Sequence, residues 1–376
     1  MKKKILIFHP ALAPYRIDLF NELNNEFEAN TYFFRKNLLS QQFDINALNN
    51  QLNFTPKFIT KGFNFKFKSR MIRFGYLNKI RTHKPDIILC SEFNIMTFLS
   101  AAYAKMFYPH TKTYCLCDDS IDVAKNCSIT RRIGRNQCMK YLDGIVLGNE
   151  MAENWYNKNF PSIRTIVFPI IQKEERIMTI IKNAQQISDH YLQSFKLTDK
   201  NILLFVGRLV EVKNLNFLIE VFSNYVSVNK NVVLVLVGDG DKKNELIELV
   251  NQLNVKDNVI FAGRYENESL YAWYNIADYF ILPSTSETFG AVVNESLIAG
   301  VPVLCSELAG AACLVNESNG VTFNPYDKAM LLSVFNQVLN EKRQLKKTTI
   351  QNSIMPYSFN QRIQGLISFL KDDNLG

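Results

Sequence analysis

Residues 279–304 read YFILPSTSETFGAVVNESLIAGVPVL, and this stretch decides the fold class. Its first four residues are apolar and predict a buried strand, which ends in a short loop that begins at Pro283. A helix follows and ends at Gly300, because glycine is favoured just after the last helical residue. Residues 301–304 predict the next strand. Strand, loop, helix and strand in this order are typical of a parallel α/β sheet covered by helices.

Two glutamates in this stretch lie where such a sheet binds ligands. Glu287 is in the loop that faces the helix N-terminus, and Glu295 is about two turns further along on nearly the same side. Backbone amides at a helix N-terminus favour anions. Two carboxylates cannot face a phosphate directly, but they can accept hydrogen bonds from sugar hydroxyls while amides and cations hold the phosphates. The pattern therefore indicates a site for a sugar attached to phosphate.

A second strand, loop and helix supply the cations. Residues 201–206 predict a buried strand that ends at Gly207, and apolar residues at helical spacing begin at Leu215. Arg208 and Lys213 lie between them, beyond the carboxyl end of the strand, where α/β sheets bind ligands. A planar guanidinium and a lysine point charge together suit a diphosphate.

Four motifs in sequence resemble the nucleotide-binding half of the retaining glycosyltransferases of family 4, which have the GT-B fold. They are Gly207-Arg208 with Lys213, the run Val237-Gly238-Asp239-Gly240, the run from Val259 to Gly263, and Glu287 with Glu295. The resemblance covers roughly residues 200 to 325. The N-terminal half is similar to the family only in its pattern and its first loop.

The resemblance implies a role for each donor-site residue. Glu287 is expected near the donor sugar as a catalytic carboxylate, and Glu295 is expected to accept hydrogen bonds from the ribose diol. Phe289 is either a packing residue or a contact, and Thr288 stands where the family commonly has glycine. The donor-binding residues expected in this way are Gly207, Arg208, Lys213, Arg264, Thr288, Phe289, Gly290 and Glu295.

No metal ion and no cofactor are expected. Asp239 and Asp241 imitate the metal-binding DxD motif of another transferase class, but here they follow a buried-type strand inside the family's own motif. Gly238 and Gly240 are expected to let the chain turn closely after that strand.

The first half offers candidates for the acceptor side. The loop after the first strand contains Pro14, Tyr15 and Arg16, a sequence familiar from polysaccharide-assembling members of the family. Arg16 either binds the acceptor or pairs with Asp18 or Glu22. Asp118 and Asp119 follow a strand where many relatives place a histidine beside the transferred sugar. They are catalytic candidates that stabilise a cationic sugar centre or orient the acceptor hydroxyl, or else they cap the helix after Ser120.

The length of 376 residues predicts two domains. Strands alternate with helices in residues 1–168, which predicts a Rossmann-like acceptor-binding domain, and again in residues 201–357, which predicts a nucleotide-sugar-binding domain. Residues 169–200 are expected to connect them. Residues 358–371 predict a helix that, in GT-B enzymes, packs back onto the first domain. The fold class is therefore α/β, with two parallel sheets that face each other across a cleft.

The positive charge is confined to the first half. Residues 1–168 contain 24 Lys and Arg against 13 Asp and Glu, whereas the remainder contains 19 against 22. No acidic residue occurs between Ile45 and Pro85, where cations interleave with phenylalanines. This stretch suits anionic lipid, a lipid-linked diphosphate acceptor or nucleic acid, or it is a solvated face with its phenylalanines in the core.

The seven cysteines show no metal spacing, and no apolar run reaches the roughly 18 residues of a membrane span. The sequence thus predicts a cytoplasmic enzyme, peripheral at the inner face of the cell membrane. It would move a hexose-type sugar from a nucleotide diphosphate sugar to a glycan or lipid-linked glycan with retention of configuration, in capsule, exopolysaccharide or lipopolysaccharide assembly. No nucleic-acid partner is expected. The alternatives are a nucleotide-sugar epimerase on the same fold and a nonenzymatic nucleic-acid-binding protein.

Overall fold

The computed structural model describes residues 1–37, 43–64, 71–339 and 350–372. The chain forms two compact units. One comprises residues 1–172 with 359–376, and the other comprises residues 173–358. Each unit is a parallel sheet with helices, as the alternation of strands and helices predicts.

The first unit is built on a seven-stranded parallel sheet of order β3-β2-β1-β6-β7-β8-β9. A separate two-stranded antiparallel sheet, β4–β5, precedes the helix Tyr76–His83 in the chain. The strands are β1 (Lys4–His9), β2 (Glu28–Phe33), β3 (Lys57–Phe58), β4 (Gly62–Asn64), β5 (Met71–Arg73), β6 (Ile87–Ser91), β7 (Lys112–Cys117), β8 (Gly144–Leu147) and β9 (Arg164–Val167). The interior strands β6 and β8 are buried along their whole length, because helices cover both faces of a parallel sheet.

The helices of the first unit begin at polar caps in most cases. They are α1 (Ile17–Glu26), α2 (Ile45–Asn49), α3 (Tyr76–His83), α4 (Ile95–Phe107), α5 (Ile121–Asn126), α6 (Ile129–Cys138) and α7 (Glu150–Asn159). Asn94, Ser120 and Asn149 each accept a hydrogen bond from a backbone amide in the first turn of the helix that follows. Ser120 is therefore the cap of α5, so the capping role considered for Asp118 and Asp119 is wrong.

The second unit has a six-stranded parallel sheet of order β12-β11-β10-β13-β14-β15. Its strands are β10 (Asn201–Val206), β11 (Val232–Val237), β12 (Val259–Gly263), β13 (Tyr279–Leu282), β14 (Val303–Ser306) and β15 (Gly320–Phe323). Its helices are α8 (Glu174–Asn183), α9 (Gln185–Ser194), α10 (Leu215–Val226), α11 (Lys243–Gln252), α12 (Asn267–Ile276), α13 (Ala291–Ile298) and α14 (Lys328–Val338). The order reverses at β10, and the loops after β10 and β13 lie side by side at this switch point.

The sequence predicts that residues 169–200 connect the two domains. From residue 173 onward this segment belongs to the second unit, where α8 and α9 pack against α12. Ser188 donates a hydrogen bond to the Ala272 carbonyl, and Tyr191 stacks on Trp273 with ring centroids 4.5 Å apart. Two amphipathic helices on a neighbouring helix are part of a core, not a linker.

The last described helix, α15 (Phe359–Lys371), belongs to the first unit. Phe369 lies against Tyr114 of β7 with ring centroids 5.4 Å apart, and Arg164 of β9 pairs with Asp372 at 2.9 Å. The helix also contacts α1.

Candidate active site

The loops that follow β10, β11 and β12 are joined by their backbones. The Gly207 amide donates to the Val237 carbonyl at 2.9 Å, and the Gly238 amide donates to the Gly263 carbonyl at 2.8 Å. A Cβ atom at Gly238 would lie 1.8 Å from the Gly207 carbonyl oxygen, and one at Gly240 would lie 2.2 Å from that of Leu209. Both positions therefore require glycine for close backbone approach, as expected from the sequence.

The structure brings Lys213 and Glu287 together. Lys213 ends a short 3-10 helix after β10, Glu287 lies in the loop before α13, and their charged groups form a largely buried ion pair. The two loops are also joined where the Thr285 amide donates to the Val212 carbonyl at 3.0 Å. An ammonium group has three N–H donors, so Lys213 can hold Glu287 and still donate to a phosphate.

The loop of Glu287 is held on its other side by a 3-10 helix at Gly310–Leu314. The Gly310 amide donates to the Glu287 carbonyl at 3.2 Å, and the Ala311 amide donates to the Phe289 carbonyl at 2.7 Å. The Phe289 side chain is buried, so it is a packing residue, whereas Thr288 is exposed. A loop fixed on both sides presents Glu287 in one position.

Gly290 ends this loop in a left-handed conformation, with φ of 99°. A Cβ atom there would lie 2.8 Å from the Leu282 side chain. A larger residue would meet both strain and a clash at this turn, and α13 begins at the next residue.

Glu295 lies in α13 and is only 8% exposed. The Tyr274 hydroxyl donates to its Oε2 at 3.1 Å. Burial raises the pKa of Tyr274 well above its usual range, and the neighbouring Glu295 carboxylate raises it further. Tyr274 is thus a neutral donor that orients Glu295, and no sequence pattern pointed to it.

The two arginines of the predicted donor site differ in their partners. Arg208 is exposed, and within the described ranges its side chain forms no ion pair or hydrogen bond. Arg264 follows β12, is also exposed and pairs with Glu266. Arg208 is therefore ready to accept an anion, whereas Arg264 must exchange a partner to do so.

In the first unit, the predicted residues meet at the carboxyl end of the sheet. Arg16 is almost fully buried and pairs with Asp118, a partner the sequence did not suggest. Pro14 and Tyr15 precede it in the short 3-10 helix at Pro14–Arg16. The Asp118 side chain keeps 28% of its surface exposed, so it can meet a ligand.

His9 lies beside this pair at the end of β1. Its Nδ1–H donates to the Ala11 carbonyl at 2.8 Å, and its ring lies edge-on to Phe20, with centroids 5.1 Å apart. Burial lowers the pKa of His9 to about 4, and the Arg16 charge adds to the effect. His9 is therefore neutral at physiological pH, and its local hydrogen bond accounts for its orientation.

Asp119, the second carboxylate after β7, lies inside a network of polar side chains. It is 1% exposed, Tyr156 donates to its Oδ2 at 2.7 Å, and Arg131 forms an ion pair with it. Arg131 also pairs with Glu92, which follows β6. Both carboxylate oxygens of Asp119 are thus bound inside the unit, away from solvent.

Glu92, Arg131 and Tyr156 were missed by sequence reasoning. Glu92 has a left-handed backbone conformation, with φ of 65°, which residues other than glycine rarely adopt. Desolvation raises the pKa of Glu92, the charge of Arg131 opposes this, and Asp118 and Asp119 add to the rise. A lone carboxylate directly after a buried strand was the available signal for Glu92. Nothing local marked Arg131.

One acidic group in the described ranges has metal-ligand spacing. Donor atoms of Glu92, Cys117 and Asp119 lie within 4.8 Å of one another. Arg131 already bonds both carboxylates, and burial raises the pKa of Cys117 well above its usual range. A metal site needs deprotonated ligands that are free to bind the ion. A protonated thiol and two carboxylates already bound to a guanidinium do not meet this need.

The basic stretch of the first unit is only partly as predicted. Arg73 is buried and donates to the Phe34 carbonyl at 2.9 Å, so it cannot meet a ligand. Phe63 and Phe74 are exposed, and their rings pack edge to face with centroids 5.5 Å apart, so the alternative that placed the phenylalanines in the core is wrong for these two. Five more residues of this stretch lie outside the described residues, and they are Phe65, Lys66, Phe67, Lys68 and Arg70. In the described part of the chain, no helix is long and apolar enough to cross a bilayer.

Comparison with known proteins gives one family match and several relatives. Residues 188–354 match the family described as glycosyl transferases group 1. Protein CapJ of Staphylococcus aureus is 27% identical over 215 residues, 57% of this chain and 53% of that protein. Alpha-monoglucosyldiacylglycerol synthase of Acholeplasma laidlawii is 25% identical over 287 residues, 72% of this chain and 70% of that protein. The chain spans about half the length of CapJ and about a third of another curated relative.

The whole described fold has solved counterparts. The crystal structure of HepE from Anabaena in complex with UDP superposes with a TM-score of 0.70, at 17% identity, and covers 98% of this chain and 96% of that one. A likeness of this extent at this identity shows the fold.

Proposed function

Because residues 188–354 match the glycosyl transferases group 1 family and the chain has the GT-B fold, we propose that it is a retaining glycosyltransferase of that family. Its donor is a nucleoside diphosphate hexose, and its acceptor is a hydroxyl of a glycan or lipid-linked glycan. The observation that carries this proposal is the ion pair between Lys213 and Glu287 on two joined loops at the switch point of the second sheet.

The proposed donor site divides charge and hydroxyl recognition between these loops. Lys213 and the exposed Arg208 bind the diphosphate, and Glu287 accepts hydrogen bonds from the sugar while it holds the Lys213 ammonium in place. Glu295, oriented by Tyr274, accepts from the ribose hydroxyls. The amides of residues 288–290 precede the N-terminus of α13, where anions are favoured.

The proposed reaction places the developing negative charge on the diphosphate. The bond between the anomeric carbon and the diphosphate oxygen breaks, and the acceptor oxygen bonds to that carbon on the same face. The acceptor proton passes to the departing phosphate. Arg208 and Lys213 stabilise that phosphate in the transition state, so protein cations fill the role that a metal ion fills in other transferases.

The first unit is proposed to meet the acceptor through Asp118. Arg16 fixes this carboxylate, and neutral His9 lies beside it. An exposed, anchored carboxylate can accept a hydrogen bond from the acceptor hydroxyl and orient it. A nucleic-acid-binding protein needs exposed cations to contact phosphates. Fewer are available in the first unit than its sequence suggests, because Arg16, Arg73 and Arg131 bind groups inside it.

The cellular setting is proposed from the relatives. The name of the Acholeplasma relative specifies a glycolipid product. A peripheral position at the inner face of the cell membrane, in the assembly of an envelope polysaccharide or glycolipid, is consistent with that relative and with the positive charge of the first half.

A thermal-shift panel of UDP-, GDP-, ADP- and dTDP-sugars tests the proposal, because a ligand that binds the folded state raises its stability by mass action. We expect one base series to raise the melting temperature. NMR of the product formed with that donor should show the anomeric configuration of the donor. No shift with any member, or conversion of the donor sugar without an acceptor, would contradict the proposal, and the second result would indicate an epimerase.

A further inference from the structure

We propose that the solvent-facing side of α4 and α6 is a docking surface for an anionic lipid bilayer. We call it the α4–α6 face and define it by its exposed apolar residues, which are Ile95, Leu99, Met106, Phe107, Ile129 and Ile133. The proposal deepens the proposed function by naming the surface that brings the enzyme to a membrane-bound acceptor, and in that sense it rests on that function.

The helix α4 is apolar on both sides. Its inner side is buried against the sheet, with Met96, Ala101 and Ala104 almost fully enclosed. On its outer side Ile95, Leu99, Ala102 and Met106 recur at intervals of four, three and four residues, so they form a single stripe along the helix. Met106 is 72% exposed. A helix on the surface of a globular domain normally has charged residues on this side.

The helix α6 continues the stripe. Ile129 and Ile133 are one turn apart and are 66% and 55% exposed. The helix packs beside the start of α4, where the Cys138 thiol lies 3.8 Å from the Asn94 carbonyl. Just beyond α6, Tyr141 packs edge to face on Phe98 of α4, with ring centroids 5.6 Å apart. The exposed residues of the two neighbouring helices therefore belong to one side of the unit.

The charged residues of α4 and α6 are all basic. Neither α4 nor α6 contains an aspartate or a glutamate. Lys105, Arg132 and Lys140 are exposed, whereas Arg131 and Arg135 are used inside the unit. A helix that lies in the interface of an anionic membrane typically combines exposed apolar residues with flanking cations, as this face does.

The charge also decides between a bilayer and a second copy of the chain. Two copies that met through this face would bring Lys105, Arg132 and Lys140 of each against those of the other, with no carboxylate on either helix to offset them. Anionic headgroups supply the opposite charge directly. The exposed Phe63 and Phe74 pair extends the apolar surface, because β5 contacts α4.

Vesicle flotation tests the proposal with the full chain and no substrate. The probes are phosphatidylcholine vesicles with and without phosphatidylglycerol. The variant is Leu99→Ser with Ile133→Ser, and the control is Val228→Ser, which removes an exposed valine of the second unit. We expect the wild type and the control to bind the anionic vesicles, and the double variant to bind roughly tenfold to a hundredfold more weakly.

A second variant, Lys105→Glu with Arg132→Glu, tests the charges. It should bind the anionic vesicles more weakly than the wild type mainly at low salt, because high ionic strength already screens these charges in the wild type.

Two outcomes would overturn the proposal. One is a wild-type protein that ignores anionic vesicles at low salt, and the other is a Leu99→Ser, Ile133→Ser variant that binds them as well as the control does. A wild-type dimer in size-exclusion chromatography that the same variant converts to a monomer would assign the face to self-association instead. Flotation needs neither donor nor acceptor, so an inactive protein that floats would contradict the proposed function alone.

Discussion

The most consequential contact at the residue scale is the ion pair of Lys213 with Glu287. Each residue was predicted from its own motif, 74 positions apart in the chain, and the structure joins them. Their proximity follows from adjacent parallel strands, β10 and β13, whose carboxyl ends meet at one edge of the sheet. The sequence thus predicted the partners, whereas the bond between them depends on strand order, which no local pattern contains.

Replacing Lys213 with alanine should lower kcat by a factor that corresponds to about 2 to 4 kcal/mol, because it removes a fixed cation from the developing phosphate charge. The matched control is Lys243→Ala, which removes a partly exposed lysine of α11. Steady-state rates for both variants, with melting curves to verify folding, make the measurement. Equal rates for the two variants would refute the role of Lys213.

Replacing Glu295 with glutamine should weaken donor binding and leave the fold intact. The amide keeps the volume and an oxygen that can accept from Tyr274, but it loses the charge that strengthens a hydrogen bond from a ribose hydroxyl. Titration calorimetry with the nucleoside diphosphate, against the exposed control Glu248→Gln, measures the effect. Unchanged affinity in the Glu295→Gln variant would remove the ribose assignment.

His9 makes stability depend on pH. Burial lowers its pKa from 6.5 to about 4 in the folded state. Between these values the unfolded chain binds a proton that the folded chain does not, so stability falls as the pH is lowered through this window, by roughly 3 kcal/mol at most. Urea unfolding of wild type and His9→Gln at several pH values isolates this contribution, because the carboxylates titrate in both. Parallel curves for the two proteins would show that His9 contributes nothing.

At the scale of elements, the carboxyl end of the first sheet shows where sequence reasoning stops. The strands and the candidates Arg16, Asp118 and Asp119 were predictable, because apolar runs and the residues after them are local signals. Glu92 follows β6, and Arg131 lies in α6. They become partners because α6 packs beside α4, so the contact depends on three elements, β6, α4 and α6, together. Their guanidinium bridge gave Asp119 a structural role and left Asp118 as the accessible carboxylate.

Replacing Arg131 with methionine should destabilise the first unit by about 2 to 4 kcal/mol, because it leaves Glu92 and Asp119 close together without a cation. The loss should shrink as the pH is lowered, since protonation relieves the repulsion. The control is Arg132→Met on the same helix, whose side chain is exposed and forms no ion pair within the described ranges. Denaturant unfolding at neutral and acidic pH distinguishes the two. A similar cost for both variants would show that the bridge does not stabilise the unit.

At the scale of the whole molecule, two parallel sheets were predictable from two stretches of alternating strands and helices. The boundary between them was not. The apolar residues Ile177, Ile181 and Tyr191 of α8 and α9 gave no sign of their partner, since α12 lies far along the chain. A helical segment between two sheets reads as a connection until the surface that it covers is known.

At the same scale, we predict that the proposed sugar transfer does not depend on a metal ion. In the first unit, Arg131 occupies the one acidic group with ligand spacing in the described part of the chain. In the second unit, Asp239 accepts a hydrogen bond from the Gly240 amide at 2.9 Å and lies 3.8 Å from Lys243, so it is partly engaged. Protein cations are proposed to meet the diphosphate charge, and we therefore expect sugar transfer to keep its rate in EDTA. Loss of activity on chelation, restored by Mn²⁺ or Mg²⁺, would refute this.

In that case, a comparison of Asp239→Asn with Glu92→Gln would show which unit holds the ion. Only the variant that removes a metal ligand should need a higher metal concentration for its half-maximal rate.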